Sequence, residues 1–431
     1  MSEQQSRRKF LKNSALLAAG TVLAPSVIPA SARGANDRIT IGMIGTGNHG
    51  IKWNMSHLFN IPDCQIVAVC DVDERRMENA QSIVHETYGK KGCKTYTDFR
   101  DLLEQKDIDA VQISTPDHWH VHQAIMSMQA GKDVICEKPT WNIRVGRELV
   151  EYLKNSDRIF QTSLEDRSLD PYYRMAMLAR NGHIGKIKKM NVKVPGAYHI
   201  EEADTTIQPV PDYFNWDLWL GPAPYSPYSP GKTHRSFRWV SDYGVGSIAD
   251  WGAHMIDTAQ WANGTEKWGP IEVKGKGSRG NIAYFDNFNK FDLTYRYENG
   301  VELGVQGDGN EIHIEGTEGW LLVKGWNQPL QASDEDLLSR DLSKDPIQLY
   351  TAKGEHANFI NCIKSRKKPY HPAEDMHRTA TISHIGVIAM TLKRKLRWDP
   401  EKEAFIKDEE ANAMRADKER DPWKLKHIRS A

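Results

Sequence analysis

Cysteine is scarce in this chain. Five thiols occur among 431 residues: Cys64, Cys70, Cys93, Cys136 and Cys362. Their number is odd, and their spacings fit neither a zinc site nor a disulfide framework. Cys70 and Cys136 fall in apolar runs, where a thiol behaves as a small buried hydrophobe, so structural thiols are expected. An excess of either charge is also missing, with 57 basic residues against 57 acidic ones and no long block of one sign. This argues against a nucleic acid or an anionic membrane as partner. Past the amino-terminal segment no stretch is apolar enough to span a bilayer, and there is no internal repeat. The remaining roughly 400 residues exceed what one core supports, which predicts two domains.

The amino terminus has its own character. Ser6-Arg7-Arg8-Lys9-Phe10-Leu11-Lys12 has the form of a twin-arginine export signal. Residues 14–30 carry no charge, contain Pro25 and Pro29, and lead into Ala30-Ser31-Ala32, an A-x-A cleavage signal. A spanning helix wants about 20 apolar residues without such prolines. Residues 1–32 are therefore expected to be a signal peptide cut near Ala32, leaving a periplasmic protein with no membrane insertion. Twin-arginine export moves proteins that have already folded. A cofactor acquired in the cytoplasm would travel locked inside.

The next segment predicts a nucleotide fold over residues 36–160. Residues 38–44 read as a buried parallel strand. Gly45, Gly47 and Gly50 follow at G-x-G-x-x-G spacing, with Thr46, Asn48 and His49 between them. Such a turn lets backbone approach a pyrophosphate at a helix start. A second strand, 65–70, ends in Asp71, placed to grip the adenosine ribose; an acid there favours NAD over NADP, while Arg75 and Arg76 leave NADP open. A third strand, 110–114, ends in Thr115-Pro116-Asp117-His118-Trp119-His120, and polar residues at such a strand end line the ligand crevice. A helix is predicted over 121–130, then a strand, 133–136, ending in Glu137-Lys138-Pro139. A lysine desolvated beside a nicotinamide can serve in proton transfer. A plain ion pair at a strand end is the competing explanation.

Together, Gly45 to Gly50, Asp71, Thr115-Pro116 and Glu137-Lys138-Pro139 resemble the glucose-fructose oxidoreductase, inositol dehydrogenase and rhizopine-catabolism (Gfo/Idh/MocA) family. The resemblance extends through Pro171-Tyr172-Tyr173-Arg174, through residues 246–257 with Asp250 and His254, and through residues 314–319. It implies an α/β protein: an N-terminal Rossmann domain, then a C-terminal α/β domain over 161–398 with a large, mostly antiparallel sheet. That sheet usually forms a homo-oligomer interface, so a dimer or tetramer is implied. Lys138 would be the catalytic lysine, with Asp250 and His254 facing the reacting carbinol. Helical i, i+4 spacing independently puts those two on one face, and Asp257 is expected to hold the imidazole. The sequence leaves open whether Lys138 or His254 takes the proton, and no metal site is predicted. Where many members carry Asn-Arg-Arg, this chain reads Glu165-Asp166-Arg167, which makes Glu165 and Arg167 substrate candidates beside Tyr173.

Between the strand 187–194 and Asp250 lies a long loop rich in proline and aromatics. Its His234, Arg235 and Trp239 are expected to contact substrate, while Trp216 and Trp219 fit a carbohydrate subsite or a hydrophobic cluster equally well. Strands are predicted over 290–297, 301–307 and 311–315, and helices over 353–365 and 376–396. The charged tail, 399–431, carries Asp421-Pro422-Trp423, which would pack on a neighbouring subunit or fray. The expected activity is oxidation of a ring hydroxyl of a sugar or glycoside by tightly bound NAD. The alternatives are a redox-assisted glycosidase working through a transient 3-keto sugar and a non-enzymatic sugar sensor.

Overall fold

The computed structural model describes residues 38–429 except 199 and 281; the expected export signal and the expected cleavage near Ala32 lie outside the described residues. Six parallel strands come first: β1 (Ile39–Ile44), β2 (Cys64–Cys70), β3 (Lys94–Tyr96), β4 (Ala110–Ile113), β5 (Asp133–Glu137) and β6 (Phe160–Ser163). Their order is β3-β2-β1-β4-β5-β6, the doubly wound arrangement whose ligand crevice opens where β1 and β4 diverge. Successive residues of β1 feed two apolar layers, Ile41 and Met43 into one and Ile44 into the other. Strands buried on both faces need the continuous apolar runs that the sequence supplies.

Both layers are completed from far along the chain. Phe359, Ile360 and Cys362, on the helix Glu355–Ser365, sit in the layer of Ile41. Ala373, Met376, Trp423, Leu425 and Ile428 join the layer of Ile44. Trp423 lies 4.9 Å from the Trp119 ring and 6.2 Å from Phe99. The tail therefore packs on its own nucleotide-binding half, not on a neighbour, because those two rings offer an aromatic seat. All five cysteines are free and buried, as structural thiols should be.

The second sheet has nine strands: β7 (Ile187–Val194), β8 (Glu272–Arg279), β9 (Phe288–Arg296), β10 (Glu302–Gly307), β11 (Glu311–Gly316), β12 (Trp320–Lys324), β13 (Gln331–Ala332), β14 (Leu396–Asp399) and β15 (Ala404–Phe405). The order is β13-β12-β11-β7-β10-β9-β8-β14-β15. Only β7 and β10 pair in parallel. Alternation sets its faces: Leu303 and Val305 are buried while Glu302 and Gln306 are exposed. The buried face packs on the helices Asp170–Arg180, Gly252–Asn263 and Ala373–Leu392. Two boundaries differ from expectation by four residues. The helix after β4 starts at Asp117, four residues early, because Pro116 takes the extended conformation that precedes a first turn. The last long helix stops at Leu392, where Lys393 turns left-handed and frees Leu396 for β14.

Candidate active site

The turn after β1 requires glycine. Gly45 has φ of +89°, and a Cβ there would lie 2.7 Å from the Ser114 carbonyl. A Cβ on Gly50 would meet the Gly45 carbonyl oxygen at 2.6 Å. At Gly47, by contrast, a Cβ would meet only the Arg76 guanidinium, 3.8 Å away, so room remains above the turn. A cavity of about 580 Å³ begins here and runs to Asp250, His254 and Trp326. Gly45, Gly47 and Asn48 line its start, Asp71, Thr115, Pro116 and Asp117 its flank, His49 and Glu137 the stretch between, and Lys138, Glu165, Asp250 and His254 its far end. Sequence positions more than two hundred residues apart thus share one cleft. Its first part fits a dinucleotide: a glycine turn with open space, a helix start for phosphate, and a carboxylate at the end of β2.

Thr46 reaches that carboxylate, not the cavity. Its amide and hydroxyl donate to Asp71 Oδ2 at 2.7 and 3.1 Å, and the Asp73 amide donates to Oδ1 at 3.0 Å. Burial raises the Asp71 pKa against these bonds. Glu137 accepts from Asn54 at 3.0 Å and meets the His49 ring at 3.0 Å. His120 lines the cavity too, but both ring nitrogens face carbonyl oxygens, of Pro139 and Thr115, at 2.8 Å. It braces the wall.

The far end holds two charged groups of residues. Lys138 Nζ donates to Asp250 Oδ1 at 2.8 Å and to the Asp250 carbonyl at 2.9 Å. Tyr198 donates its hydroxyl to Asp250 Oδ2 at 2.9 Å, and Arg238 Nε lies 3.1 Å from Oδ1. Burial disfavours the charge on Asp250, but Arg238 and Lys138 outweigh it and hold its pKa well below the carboxylate range. Burial also opposes the Lys138 charge; Asp250 and Glu137 more than offset it, so its pKa is raised and the ammonium persists. In the second group, His254 Nδ1 meets Asp166 Oδ2 at 2.7 Å. A carboxylate only accepts, so Nδ1 carries the proton, and Nε2 has no hydrogen-bond partner among the described residues. Despite the opposing effect of burial, Asp166 raises the His254 pKa. Burial pushes Glu165 up to about 7 against a bond from its own backbone amide, and among the described residues no other side chain hydrogen-bonds its carboxylate. Glu165, Asp166 and His254 each offer a ligand atom within 4.8 Å of the others, the spacing of a cation cluster, although His254 and Asp166 are already joined.

Two family profiles match: an oxidoreductase NAD-binding Rossmann fold over residues 39–164, and an oxidoreductase C-terminal α/β domain over 183–425. The chain belongs to the Gfo/Idh/MocA oxidoreductase family. A glycosyl hydrolase family 109 protein from Stenotrophomonas maltophilia is 40% identical over 137 residues, which cover 30% of this chain and 29% of that protein. The alignment thus spans less than a third of the relative's length. Among solved structures, the myo-inositol 2-dehydrogenase of Lactobacillus plantarum superposes with a TM-score of 0.61 at 21% identity, over 84% of this chain and 99% of that one. The WlbA dehydrogenase of Bordetella pertussis, solved with NADH and UDP-GlcNAcA, gives 0.63 at 16% identity, over 84% and 99%. These likenesses show a Gfo/Idh/MocA fold.

Several expected contacts lie elsewhere in this family member. Asp257 does not hold His254; Asp166 does. Asp257 binds Arg167 at 2.7 and 2.9 Å and His371 at 3.1 Å, since a buried carboxylate takes the bidentate guanidinium. Arg167 is itself buried and also binds Asp375 at 2.6 Å, so it cannot reach substrate. Removing one partner of a buried ion pair costs about 3–5 kcal/mol. Arg167→Ala should lose that much in chemical denaturation, and a loss below ~1 kcal/mol would exclude this structural role. Tyr173 packs near Trp261, with centroids 6.2 Å apart, away from the cavity. Trp239 is buried and donates to the Tyr198 carbonyl at 3.0 Å. Trp216 belongs to a hydrophobic cluster and stacks on Trp219 at 4.8 Å, while Trp219 also lines the cavity. His234 lines the cavity near Asp73, at 3.8 Å, and Arg235 near Tyr198. Tyr198, Arg238 and Asp166 were not singled out from the sequence. Asp166 alone left a signal there, within the departure from Asn-Arg-Arg.

Proposed function

We propose that this chain is an exported oxidoreductase that uses tightly bound NAD to oxidise a ring hydroxyl of a sugar or glycoside to the keto sugar. The observation that carries the reading is the junction of Lys138–Asp250 and His254–Asp166 at one end of a cleft whose other end is the dinucleotide turn. Gly45, Gly47, Asn48 and Asp71 would hold the cofactor, with the acid at Asp71 favouring NAD over NADP. When bound, the nicotinamide supplies the acceptor for the hydride leaving the carbinol carbon. His254 Nε2 takes the hydroxyl proton, and Asp166 stabilises the imidazolium that results. The Lys138 ammonium stabilises the oxygen while it carries negative charge. Asp250, pinned by Lys138, Arg238 and Tyr198, fixes the ammonium in place. Carbohydrate as substrate is supported by the names of the inositol-, sugar-nucleotide- and glycoside-acting relatives.

Glu165 favours a second reading. A cleft carboxyl that burial pushes up to about 7, and that no other side chain hydrogen-bonds among the described residues, is an acid–base group beyond His254. After oxidation at C3, the C2 proton is acidic. Its removal would expel the glycosidic oxygen from C1, and return of hydride and water would complete a net glycosidase cycle.

One experiment separates these readings: near-ultraviolet absorbance of protein from the periplasmic fraction, before and after addition of glycosides. A single-turnover rise in the reduced-nicotinamide band with intact keto sugar supports the dehydrogenase. Free aglycone without net absorbance change supports the glycosidase. Absence of protein from that fraction would rule out export, and absence of both signals would reject both chemistries.

A further inference from the structure

The aromatic loop does something other than bind carbohydrate along its length. Phe214, Leu218, Trp219 and His234 line the cavity at the end where Asp71, Arg76 and Trp119 stand. This wall is stitched to the nucleotide-binding half through backbone. The Asn215 amide donates to the Val72 carbonyl at 2.9 Å, and the Glu74 amide donates to the Tyr213 carbonyl at 3.0 Å. Trp119 Nε1 donates to the Leu218 and Trp219 carbonyls at 3.1 and 3.0 Å. The Arg75 guanidinium lies 3.5 Å from the centroid of the Tyr213 ring. At Gly221 the loop approaches the Trp119 ring so closely that a Cβ would lie 2.0 Å from it.

The tail then crosses behind the wall. Arg420 donates from Nε to the Gly221 carbonyl at 2.9 Å and from Nη2 to the Asp217 carbonyl at 2.8 Å, and it pairs with the Asp217 carboxylate. Glu419 meets His122 at 2.7 Å, and Trp423 packs edge-on against Trp119. These bonds must open together for the wall to move.

We propose that residues 211–221, backed by the tail from Glu419 to Trp423, form a fixed clasp across the end of the cleft beside Asp71 and Arg76, retaining the dinucleotide through successive turnovers. The inference rests on the NAD-dependent reading and adds the part of the chain that makes the cofactor non-exchangeable. An electron acceptor must then come to the cleft itself, because reduced cofactor does not leave to be reoxidised elsewhere.

The test is nucleotide exchange on the full-length protein. Bound nucleotide is quantified after denaturation, before and after incubation with isotopically labelled NAD⁺, alongside a thermal melt. Wild-type protein is expected to retain its nucleotide against excess label. Arg420→Ala, which touches the clasp from outside the cleft, should keep its fold and exchange at least about tenfold faster, the equivalent of ~1.4 kcal/mol of lost retention. Unchanged exchange in a folded Arg420→Ala protein would overturn the clasp. Should that variant not fold, Leu218→Ala at the inner face carries the same expectation and the same refutation. Wild-type protein that exchanges label freely yet still oxidises glycosides would overturn the clasp and leave the activity standing. Protein that neither holds nucleotide nor turns over with added NAD⁺ would remove both.

Discussion

Lys138→Met is expected to lower kcat about 10²- to 10³-fold, the loss typical when one preorganised donor to a developing oxyanion is removed. The expectation follows from charge. Burial works against the ammonium, but Asp250 and Glu137 raise its pKa, so Lys138 enters the reaction as a cation and not as a base. Methionine keeps much of the length and volume but donates nothing. The fold should survive, since Arg238 remains 3.1 Å from Asp250 and Tyr198 still donates to it. Bound nucleotide should therefore be unchanged while single-turnover reduction slows. A decrease of less than about tenfold would mean that Lys138 is only the ion-pair partner of Asp250, because a lost oxyanion donor costs more than that.

His254→Gln should be at least as damaging, about 10²- to 10⁴-fold in kcat/KM, the range for loss of a general base. The pH profile gives the sharper readout. Oxidation requires neutral imidazole, and the His254 pKa is raised above 6.5, Asp166 outweighing burial. Activity should thus fall as pH drops through a value above 6.5, and the glutamine variant should lose this acid limb. Glu165 and Asp117, both pushed by burial to about 7, titrate in the same region and could produce a similar limb. An acid limb that persists in His254→Gln would therefore assign the base to one of those carboxyls and reject the histidine.

The parts of this site legible in the sequence are those governed by local rules. The glycine turn, Asp71 and the four central strands follow from spacing and apolar runs, and β7 was predicted residue for residue over Ile187–Val194. Asp250 and His254 follow from helical periodicity. The same rule misled at Asp257: it sits one turn beyond His254, but Arg167, ninety positions earlier in the chain, claims it through two hydrogen bonds. The imidazole turned instead to Asp166, 88 positions away. Tyr198 and Arg238 reach Asp250 from a loop without regular periodicity, so no pattern announces them. In that loop the aromatics signal burial, and only packing decides whether a ring faces the cavity, as Trp219 does, or only its neighbours, as Trp216 does. The tail misled for a related reason: a tryptophan among charges suggests a partner, and here the partner is Trp119 of the same chain.

The two apolar layers of the nucleotide-binding half have a consequence for synthesis. Ile41 and Ile44 are among the first described residues to leave the ribosome, while Phe359, Met376, Trp423 and Ile428, which finish the layers against them, are among the last. Until those residues are made, the growing chain has a nucleotide motif but an unfinished core on either side of it. Stable dinucleotide capture therefore belongs after the last of these late residues has been made and has closed the layers.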